Sequence, residues 1–350
     1  LTPFADAFLN TSHLHAMLSQ YVVMNETFKM LMVLRPYQYY AVEAIVKKVK
    51  DRISSPFGSA QGSEKRTLSG AETSSDSIEN NGYIWHTTGS GKTLTSFKAS
   101  QILTRLPEIK KVVFVVDRKD LDYQTMQEFN NFVKDSVDVT NNTQKLIRQF
   151  KDDTSLIVTT IQKLNNAITK GHYEKSISHL ANERVVFIFD ECHRSQFGDT
   201  HKRISAYFKN HQLFGFTGTP IFADNAMSNE LGKRTTKDLF KECLHKYVIT
   251  DAIRDQNVLR FNVEYHSTIK QKDDIKKDKK VEAIDTKEAL EAPERMAVVV
   301  DHIIANHERK THGKAYSSLF AVSSIENLIK YYKIFKAKKE KGEHNLRVAT

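Results

Sequence analysis

A glycine-containing loop between an apolar run and a helical pattern constrains the fold of this chain more than any other feature. Residues 86–93 read HTTGSGKT, the apolar residues 83–85 precede them, and apolar positions at helical spacing continue to Ile102. A strand, such a loop and a helix in this order favour a phosphate-binding loop, in which glycines let backbone N–H groups converge on an anion. The pattern usually begins with glycine, and His86 stands there in this chain. We expect that position to shape the turn; the alternative for the whole segment is a Gly-Ser loop arising by chance.

The same loop predicts which side chains bind nucleotide. Lys92 can neutralise the β- and γ-phosphates of ATP, and Thr93 can place its hydroxyl on Mg²⁺. We therefore predict ATP and Mg²⁺ as cofactors, with phosphate contacts from Thr88, Gly89, Ser90, Gly91, Lys92 and Thr93.

Five apolar runs rich in β-branched residues recur from residue 83 onward, at 83–85, 112–116, 156–159, 185–189 and 213–216. They are nearly continuous rather than alternating, which is typical of strands buried on both faces. Longer amphipathic segments separate them, and strands alternating with helices predict βαβ units and a parallel sheet. Because crossovers are right-handed, helices should cover both faces, so the predicted fold class is α/β.

Two acids follow the run at 185–189 directly, in the order Asp190, Glu191, Cys192 and His193. At the carboxyl edge of a parallel sheet they would face the phosphate-binding loop. Asp190 can bind Mg²⁺, usually through water, and Glu191 can orient and deprotonate an attacking water; a helix N-cap is the structural alternative. Cys192 has no second Cys/His pair at zinc-ligand spacing. We interpret Cys192 as a small buried side chain that packs in the core. We interpret His193 as a polar link from the ATP site to the rest of the lobe.

A third segment, residues 216–220 (FTGTP), ends another apolar run. Thr217 and Thr219 flank a glycine, and their hydroxyls can hydrogen-bond the acidic segment and report its state to a neighbouring lobe. An ordinary β-turn is the alternative for this pattern alone. We predict a coupling role for Thr217, Thr219 and His193.

These three segments, in this order, resemble the superfamily 2 helicases and translocases. Longer stretches are more specific: WHTTGSGKT, VVDRKDLD, TTIQKL, FDECHRSQ and GFTGTPI together resemble the motor region of the R (restriction) subunit of type I restriction–modification enzymes. The likeness runs from about residue 35 to residue 250, and residues 315–336 resemble the family's first motif in a second lobe. The resemblance implies a RecA-like parallel sheet with helices on both faces, followed by the start of a second RecA-like lobe.

The resemblance also assigns residues by position. Gln38 matches the glutamine that reads the adenine edge, although a polar residue at a helix start is the plain alternative. Five further side chains match residues that track DNA phosphates, contacts that position a duplex without reading its sequence. For each of them, the alternative is a polar surface residue that has no role. They are Arg118, Lys119, Thr160, Gln162 and Lys163.

The 350 residues are too many for one ordinary domain. Residues 54–82 are rich in Ser and Gly and predict a mobile loop, and the charged run 270–280 favours a solvated segment over a DNA clamp. Strand-like runs at 318–322 and 346–349 suggest the beginning of a second α/β lobe. The predicted domains are a helical linker from an upstream nuclease domain at 1–34, the first RecA-like motor lobe at 35–255, and a partial second lobe at 256–350.

The net charge of +10 favours polyanionic partners such as nucleic acid. The two cysteines, Cys192 and Cys243, cannot form a disulfide framework and fit a reducing cytoplasm. No run approaches the roughly 20 apolar residues of a membrane span. The family implies double-stranded DNA as a partner, together with methylase and specificity subunits that choose the site.

The leading hypothesis is therefore an ATP-dependent double-stranded DNA translocase within a type I restriction endonuclease. The alternatives are a strand-separating repair helicase of the same superfamily and a nucleotide-gated scaffold. We recognise neither the Asp…Glu-x-Lys nuclease motif nor the arginine fingers of the late motifs in this sequence. Because removing such an arginine costs about 10³–10⁵ in rate, we expect this chain alone to bind ATP but to hydrolyse it slowly.

Overall fold

A computed structural model describes residues 10–54, 80–116, 143–192, 197–225, 228–229, 232–233, 235–268 and 290–350. The chain divides into two compact units, Leu1–Arg260 and Phe261–Thr350. Apart from its ends, the predicted loop at 54–82 lies outside the described residues, and so does the charged run 270–280. The predicted site residues Arg118, Lys119 and His193 lie outside them as well.

The first unit is built from alternating helices and strands. Its described helices are α1 (Thr11–Gln20), α2 (Pro36–Ser54), α3 (Lys92–Leu103), α4 (Thr143–Lys151), α5 (Ile161–Thr169), α6 (Gly171–Ser176), α7 (Phe197–Tyr207), α8 (Thr236–Phe240) and α9 (Ile249–Arg254). Its described strands are β1 (Val22–Asn25), β2 (Met30–Val33), β3 (Gly82–His86), β4 (Lys111–Val116), β5 (Leu156–Thr160), β6 (Val185–Phe189), β7 (His211–Thr217), β8 (Ser228–Asn229), β9 (Gly232–Lys233) and β10 (Glu242–Tyr247). Short 3₁₀ turns lie at Ser178–Leu180 and Ala223–Asn225.

A six-stranded parallel sheet forms the centre of this unit, in the order β10-β3-β7-β6-β4-β5. Every residue of β4, β6 and β7 is buried, and burial on both faces explains the apolar runs at 112–116, 185–189 and 213–216 within them. Neighbouring strands run in the same direction, so their carboxyl ends meet at one edge. The five strands predicted from the sequence are confirmed, each to within two residues at either end.

Helices cover both faces of the sheet, because alternate residues of a strand point to opposite sides. Val112 and Phe114 pack in one apolar cluster with residues of α2 and α3. Val113 and Val115 pack in a second cluster with residues of α4 and α5. The predicted α/β class with a RecA-like parallel sheet and helices on both faces is therefore confirmed.

The structure corrects the expectation of helices throughout residues 1–34. In the described part, α1 is helical, but β1 and β2 pair as an antiparallel hairpin in which Met24 lies opposite Leu31. Val23 and Asn25 are buried while Met24 between them is exposed, which is the period of two that belongs to a strand. The role of this region as a linker from a nuclease domain stays a prediction.

The second unit is described over 261–268 and 290–350. It contains α10 (Pro293–Lys310) and α11 (Ile325–Glu340), which pack through Met296, Val300, Tyr331 and Phe335. The strands expected at 318–322 and 346–349 are wrong for this structure: both segments lack strand pairing, and Leu319 is 97% exposed. An extended segment becomes a strand only beside a partner, and the described part of this unit offers none. The second-lobe interpretation stays a prediction. Among the described helices, none combines the length and apolar character that crossing a membrane requires.

Candidate nucleotide-binding site

The predicted phosphate-binding loop connects the end of β3 to the first residue of α3. Gly89 and Gly91 have φ angles of +79° and +74°, a left-handed conformation that side chains strain. A Cβ on Gly91 would also lie 2.6 Å from Nε2 of Gln38, whereas one on Gly89 would meet nothing within 4 Å. Glycine is therefore required at Gly91 by both backbone conformation and space, and at Gly89 by conformation.

Hydrogen bonds within the loop fix its shape. Ser90 Oγ donates to the Thr87 carbonyl at 2.6 Å, and the Ser90 N–H donates to the same oxygen at 3.3 Å. Thr95 N–H donates to the Gly91 carbonyl at 3.1 Å, which starts the first turn of α3. The N–H groups of this first turn have no partner within a helix, and such an end of a helix suits an anion.

Lys92 and Glu191 form the ionic pair at the centre of the site. Lys92 Nζ lies 3.2 Å from Glu191 Oε1, and the lysine is 8% exposed. A buried ammonium needs an anionic partner, and here the acidic segment after β6 supplies it. The sequence-based expectation that this segment faces the loop is therefore met by direct contact.

The acidic segment is held at the carboxyl edge of three strands. Asp190 N–H donates to the Val115 carbonyl at 3.1 Å, and Cys192 N–H donates to the Phe216 carbonyl at 3.0 Å. Between them, Glu191 has a φ of 47°, and its N–H donates to Asp190 Oδ1 at 3.0 Å. Non-glycine residues adopt this conformation rarely, and it aims the Glu191 side chain at Lys92.

Cys192 is buried beneath this segment, as expected. A Cβ on Gly215 of β7 would lie 2.6 Å from its Sγ, so the thiol fills the space left by a glycine. Burial raises the pKa of the Cys192 thiol well above its usual value, and the nearby carboxylates of Glu191 and Asp190 raise it further. The thiol is therefore neutral and acts as packing.

Magnesium ligands would come from the oxygen-bearing groups around this pair. Thr93 is in the first turn of α3 and partly exposed, and Asp190 is partly exposed at the end of β6. A hydroxyl and a carboxylate are the hard oxygen ligands that Mg²⁺ prefers, so the residue types fit the ion. The buried Lys92 beside them fits the polyphosphate that Mg²⁺ would accompany.

Gln38 contacts the loop from the first turn of α2. Its Nε2 donates to the Ser90 carbonyl at 3.0 Å and to the Gly91 carbonyl at 3.3 Å, and its Oε1 accepts from Arg35 N–H at 2.9 Å. Tyr37 Oη donates to the same Ser90 carbonyl at 2.8 Å. The start of α2 thus lies against the loop, and the adenine role of Gln38 stays a prediction.

The FTGTP segment lies against the same loop. Thr217 is buried and its Oγ1 accepts from Thr219 N–H at 3.0 Å, whereas Thr219 itself is exposed. Trp85 Nε1 donates to the Gly218 carbonyl at 3.3 Å, and a Cβ on Gly218 would lie 3.3 Å from the His86 carbonyl. The segment predicted to couple therefore touches the β3 end of the loop, and the coupling itself stays a prediction.

The described DNA-contact candidates occupy the start of α5. Thr160 is buried and caps this helix, since its Oγ1 accepts from Lys163 N–H at 3.3 Å. Gln162 is exposed and Lys163 is partly exposed on the first turn. Thr160 thus has a structural role that the sequence-based assignment did not include.

The sequence pattern missed the contribution of β10, which pairs with β3 at the sheet edge. His86 Nε2 lies 2.9 Å from His245 Nδ1, and the Tyr247 ring stacks on Tyr37 with centroids 3.7 Å apart. Burial lowers the pKa of His86 to about 3, helped by His245 and Lys92, so its ring is neutral. β10 reads ECLHKY, which carries no apolar run to signal a strand. The sequence signal that was available for β10 was the pair of aromatic residues at 245 and 247.

This chain resembles known proteins both in a family model and in individual sequences. The family model described as SWI2/SNF2 ATPase matches residues 37–295. A type I restriction enzyme endonuclease subunit of Staphylococcus aureus (strain MRSA252) is 49% identical over 351 residues, covering 100% of this chain and 34% of that protein. The C-terminal part of a putative type I restriction enzyme endonuclease subunit of Mycoplasma pneumoniae is 41% identical over 208 residues, covering 59% of this chain and 92% of that protein. The chain thus spans about a third of the length of the staphylococcal relative.

Two solved structures are more distant. One is a nuclease-deletion mutant of the Type ISP restriction-modification enzyme LlaGI in complex with a DNA substrate mimic, with a TM-score of 0.44 and 17% identity over 80% of this chain and 24% of that one. The other is a Sulfolobus solfataricus SWI2/SNF2 ATPase core in complex with double-stranded DNA, with a TM-score of 0.36 and 14% identity over 58% of this chain and 34% of that one.

Proposed function

Because the chain belongs to the SWI2/SNF2 ATPase family and to the endonuclease subunits of type I restriction enzymes, we propose that it couples ATP hydrolysis to translocation along double-stranded DNA. In this proposal it is the motor region of a restriction subunit whose cleavage activity lies elsewhere. The observation that carries the proposal is the 3.2 Å contact between Lys92 and Glu191, because it places a phosphate-binding ammonium beside a candidate base.

When ATP binds, Lys92 would exchange one anionic partner for another. The β- and γ-phosphates would take the place of the Glu191 carboxylate beside Lys92, while backbone N–H groups among residues 88–93 hold the phosphate oxygens. Glu191, released from Lys92, would orient and deprotonate the attacking water. Thr93 and Asp190 would hold Mg²⁺, which neutralises charge on the β- and γ-phosphate oxygens.

DNA would bind through its phosphates. Gln162 and Lys163 stand at the N-terminus of α5, whose backbone N–H groups add positive potential, and the Thr160 cap fixes that end. Arg118 and Lys119, outside the described residues, complete the proposed contact. A net charge of +10 supports a polyanionic partner.

Coupling would run through the FTGTP segment, because Gly218 lies against both Trp85 and the His86 carbonyl. We include Thr217, Thr219 and His193 in that role. In the cytoplasm the subunit would assemble with methylase and specificity subunits, which choose the DNA site.

A triplex-displacement assay tests the proposal in the complete subunit, assembled with its methylase and specificity partners. A third strand annealed to duplex DNA should be released with ATP, and Lys92→Ala should abolish release without unfolding the protein. Lys47→Ala changes an exposed lysine of α2 and should release the third strand normally. Separation of the duplex strands would instead favour a repair helicase, and full function of Lys92→Ala would favour a nucleotide-gated scaffold.

A further inference from the structure

Four aromatic rings join α2, the phosphate-binding loop and the edge strand β10. They belong to Tyr37, His86, His245 and Tyr247. The two tyrosine rings are parallel, with an interplanar angle of 3° and centroids 3.7 Å apart. The His86 ring meets Tyr37 edge-on at 5.5 Å and Tyr247 edge-on at 5.9 Å. The cluster is buried at Tyr37, His86 and Tyr247, so its rings pack as a core rather than as a surface.

Each residue of the cluster contacts the loop or the residue at which the loop begins. The Tyr247 carbonyl accepts from Thr87 N–H at 2.9 Å, which attaches the loop to β10 directly. Tyr37 Oη donates to the Ser90 carbonyl at 2.8 Å. His245 holds His86, the first residue of the loop pattern, through the 2.9 Å contact between their rings.

Tyr247 is itself fixed from behind. Its hydroxyl donates to Asp255 Oδ2 at 3.1 Å and accepts from Asn257 Nδ2 at 2.6 Å. Ala252 of α9 packs in the same buried cluster as the two tyrosines. The segment that follows β10 therefore immobilises the Tyr247 ring against Tyr37.

From these contacts we propose that Tyr247 is a positioning residue for the phosphate-binding loop. Its ring keeps Tyr37 where the Tyr37 hydroxyl can hold the Ser90 carbonyl, and its own carbonyl holds Thr87. Both contacts fix the orientation of backbone groups in the loop. Loop N–H groups that they do not engage can then point toward phosphate. The consequence for ATP rests on the proposed function, whereas the effect on the loop itself does not.

Two substitutions separate the effect of the Tyr247 ring from the effect of its hydroxyl. Tyr247→Leu removes the stack on Tyr37, and Tyr247→Phe keeps the stack but loses the hydroxyl contacts to Asp255 and Asn257. Phe208→Leu is the matched control, because Phe208 is fully buried and contacts Phe187 in the other apolar cluster, away from the loop. Tyr37→Phe is a milder variant that retains the ring and deletes the hydroxyl that bonds the Ser90 carbonyl.

Amide hydrogen exchange over residues 86–93 is measured first, on the 350-residue chain without nucleotide. Tyr247→Leu should speed exchange there about tenfold, since stacking and cavity effects both favour local opening. Tyr37→Phe should speed it about fivefold, since one hydrogen bond is lost. Tyr247→Phe keeps the stack and loses only the hydroxyl contacts, so it should speed exchange less than Tyr247→Leu does. Phe208→Leu should leave this segment within about twofold of wild type.

Binding of Mg·ATP and of magnesium tripolyphosphate is measured next on the same variants. Tyr247→Leu should weaken both ligands about tenfold, because the loop holds the phosphates that they share. Unchanged exchange in Tyr247→Leu, an equal loss in Tyr247→Phe, or weakening of ATP alone would each overturn the positioning role. If wild type binds neither ligand while the exchange results hold, the proposed function fails and the positioning role stands.

Discussion

Lys92 Nζ lies 3.2 Å from Glu191 Oε1, so the lysine expected to bind phosphate is already paired with the glutamate expected to activate water. Glu191 makes this contact from a left-handed backbone conformation, with a φ of 47°. ATP binding must therefore break an ion pair before it makes another. The competition between Glu191 and phosphate for one ammonium leads to a prediction that separates binding from hydrolysis.

Glu191→Gln should bind Mg·ATP at least as tightly as wild type, because the competing charge is gone. Its ATP turnover, measured in the complete subunit, should fall by about 10²–10⁴, the usual contribution of a positioned base. Equilibrium titration gives the affinity, and phosphate release gives the turnover. Glu183→Gln, at an exposed glutamate before β6, should change neither. Weaker ATP binding by Glu191→Gln would contradict the competition.

Gly91→Ala should prevent ATP binding and destabilise the chain by about 1–3 kcal/mol, since its left-handed backbone and the nearby Gln38 amide both exclude a methyl group. Gly171→Ala is the control, because a Cβ there meets nothing within 4 Å. It should stay within about 0.5 kcal/mol of wild type. Denaturant unfolding and ATP titration measure the two effects, and equal behaviour of the two variants would show that the loop geometry is wrong.

Stability should fall as the pH falls, because burial holds the pKa of His86 at about 3, below its unfolded value of 6.5. The unfolded chain then binds the extra proton, so the contribution of neutral His86 is complete above pH 6.5 and is lost progressively from there down to about pH 3. At pH 5 the loss should be about 2 kcal/mol relative to pH 7. Urea unfolding at a series of pH values measures it.

His86→Gln should flatten that dependence, because its amide can still donate to His245 but cannot titrate. The free energy of unfolding should still depend on pH to a smaller extent, because burial also lowers the pKa of His211 to about 4. A slope between pH 7 and pH 5 as steep as that of wild type would contradict the assignment of the effect to His86.

Trp85 should report ligand binding, because it is the single tryptophan in the sequence and donates to the Gly218 carbonyl at 3.3 Å. Lys246 Nζ also lies 4.6 Å from the centre of its ring. A change at the loop or at FTGTP should therefore alter its emission spectrum when Mg·ATP binds. Lys92→Ala should remove the response, and an unaltered spectrum at saturating ATP in wild type would disprove the link between Trp85 and the site.

The central strands were predictable because burial on both faces favours continuous apolar runs, as in β6 and in residues 112–116 of β4. The meeting of Lys92 and Glu191 followed from the rule that parallel strands share a carboxyl edge. β10 was not predictable, because an edge strand needs few apolar residues and its pairing with β3 involves residues far apart in sequence. The stack of Tyr37 on Tyr247 and the cap at Thr160 likewise depend on tertiary placement, which no local pattern encodes.

Calorimetric titration of Mg·ATP into the 350-residue chain tests the central claim, that the loop at 86–93 is a nucleotide site built around Lys92. Wild type should bind one equivalent, and Lys92→Ala should bind at least about 100-fold more weakly, since losing one member of a buried charge contact costs about 3 kcal/mol. Lys47→Ala should bind like wild type. Equal affinity of wild type and Lys92→Ala, or no binding by wild type, would contradict the claim.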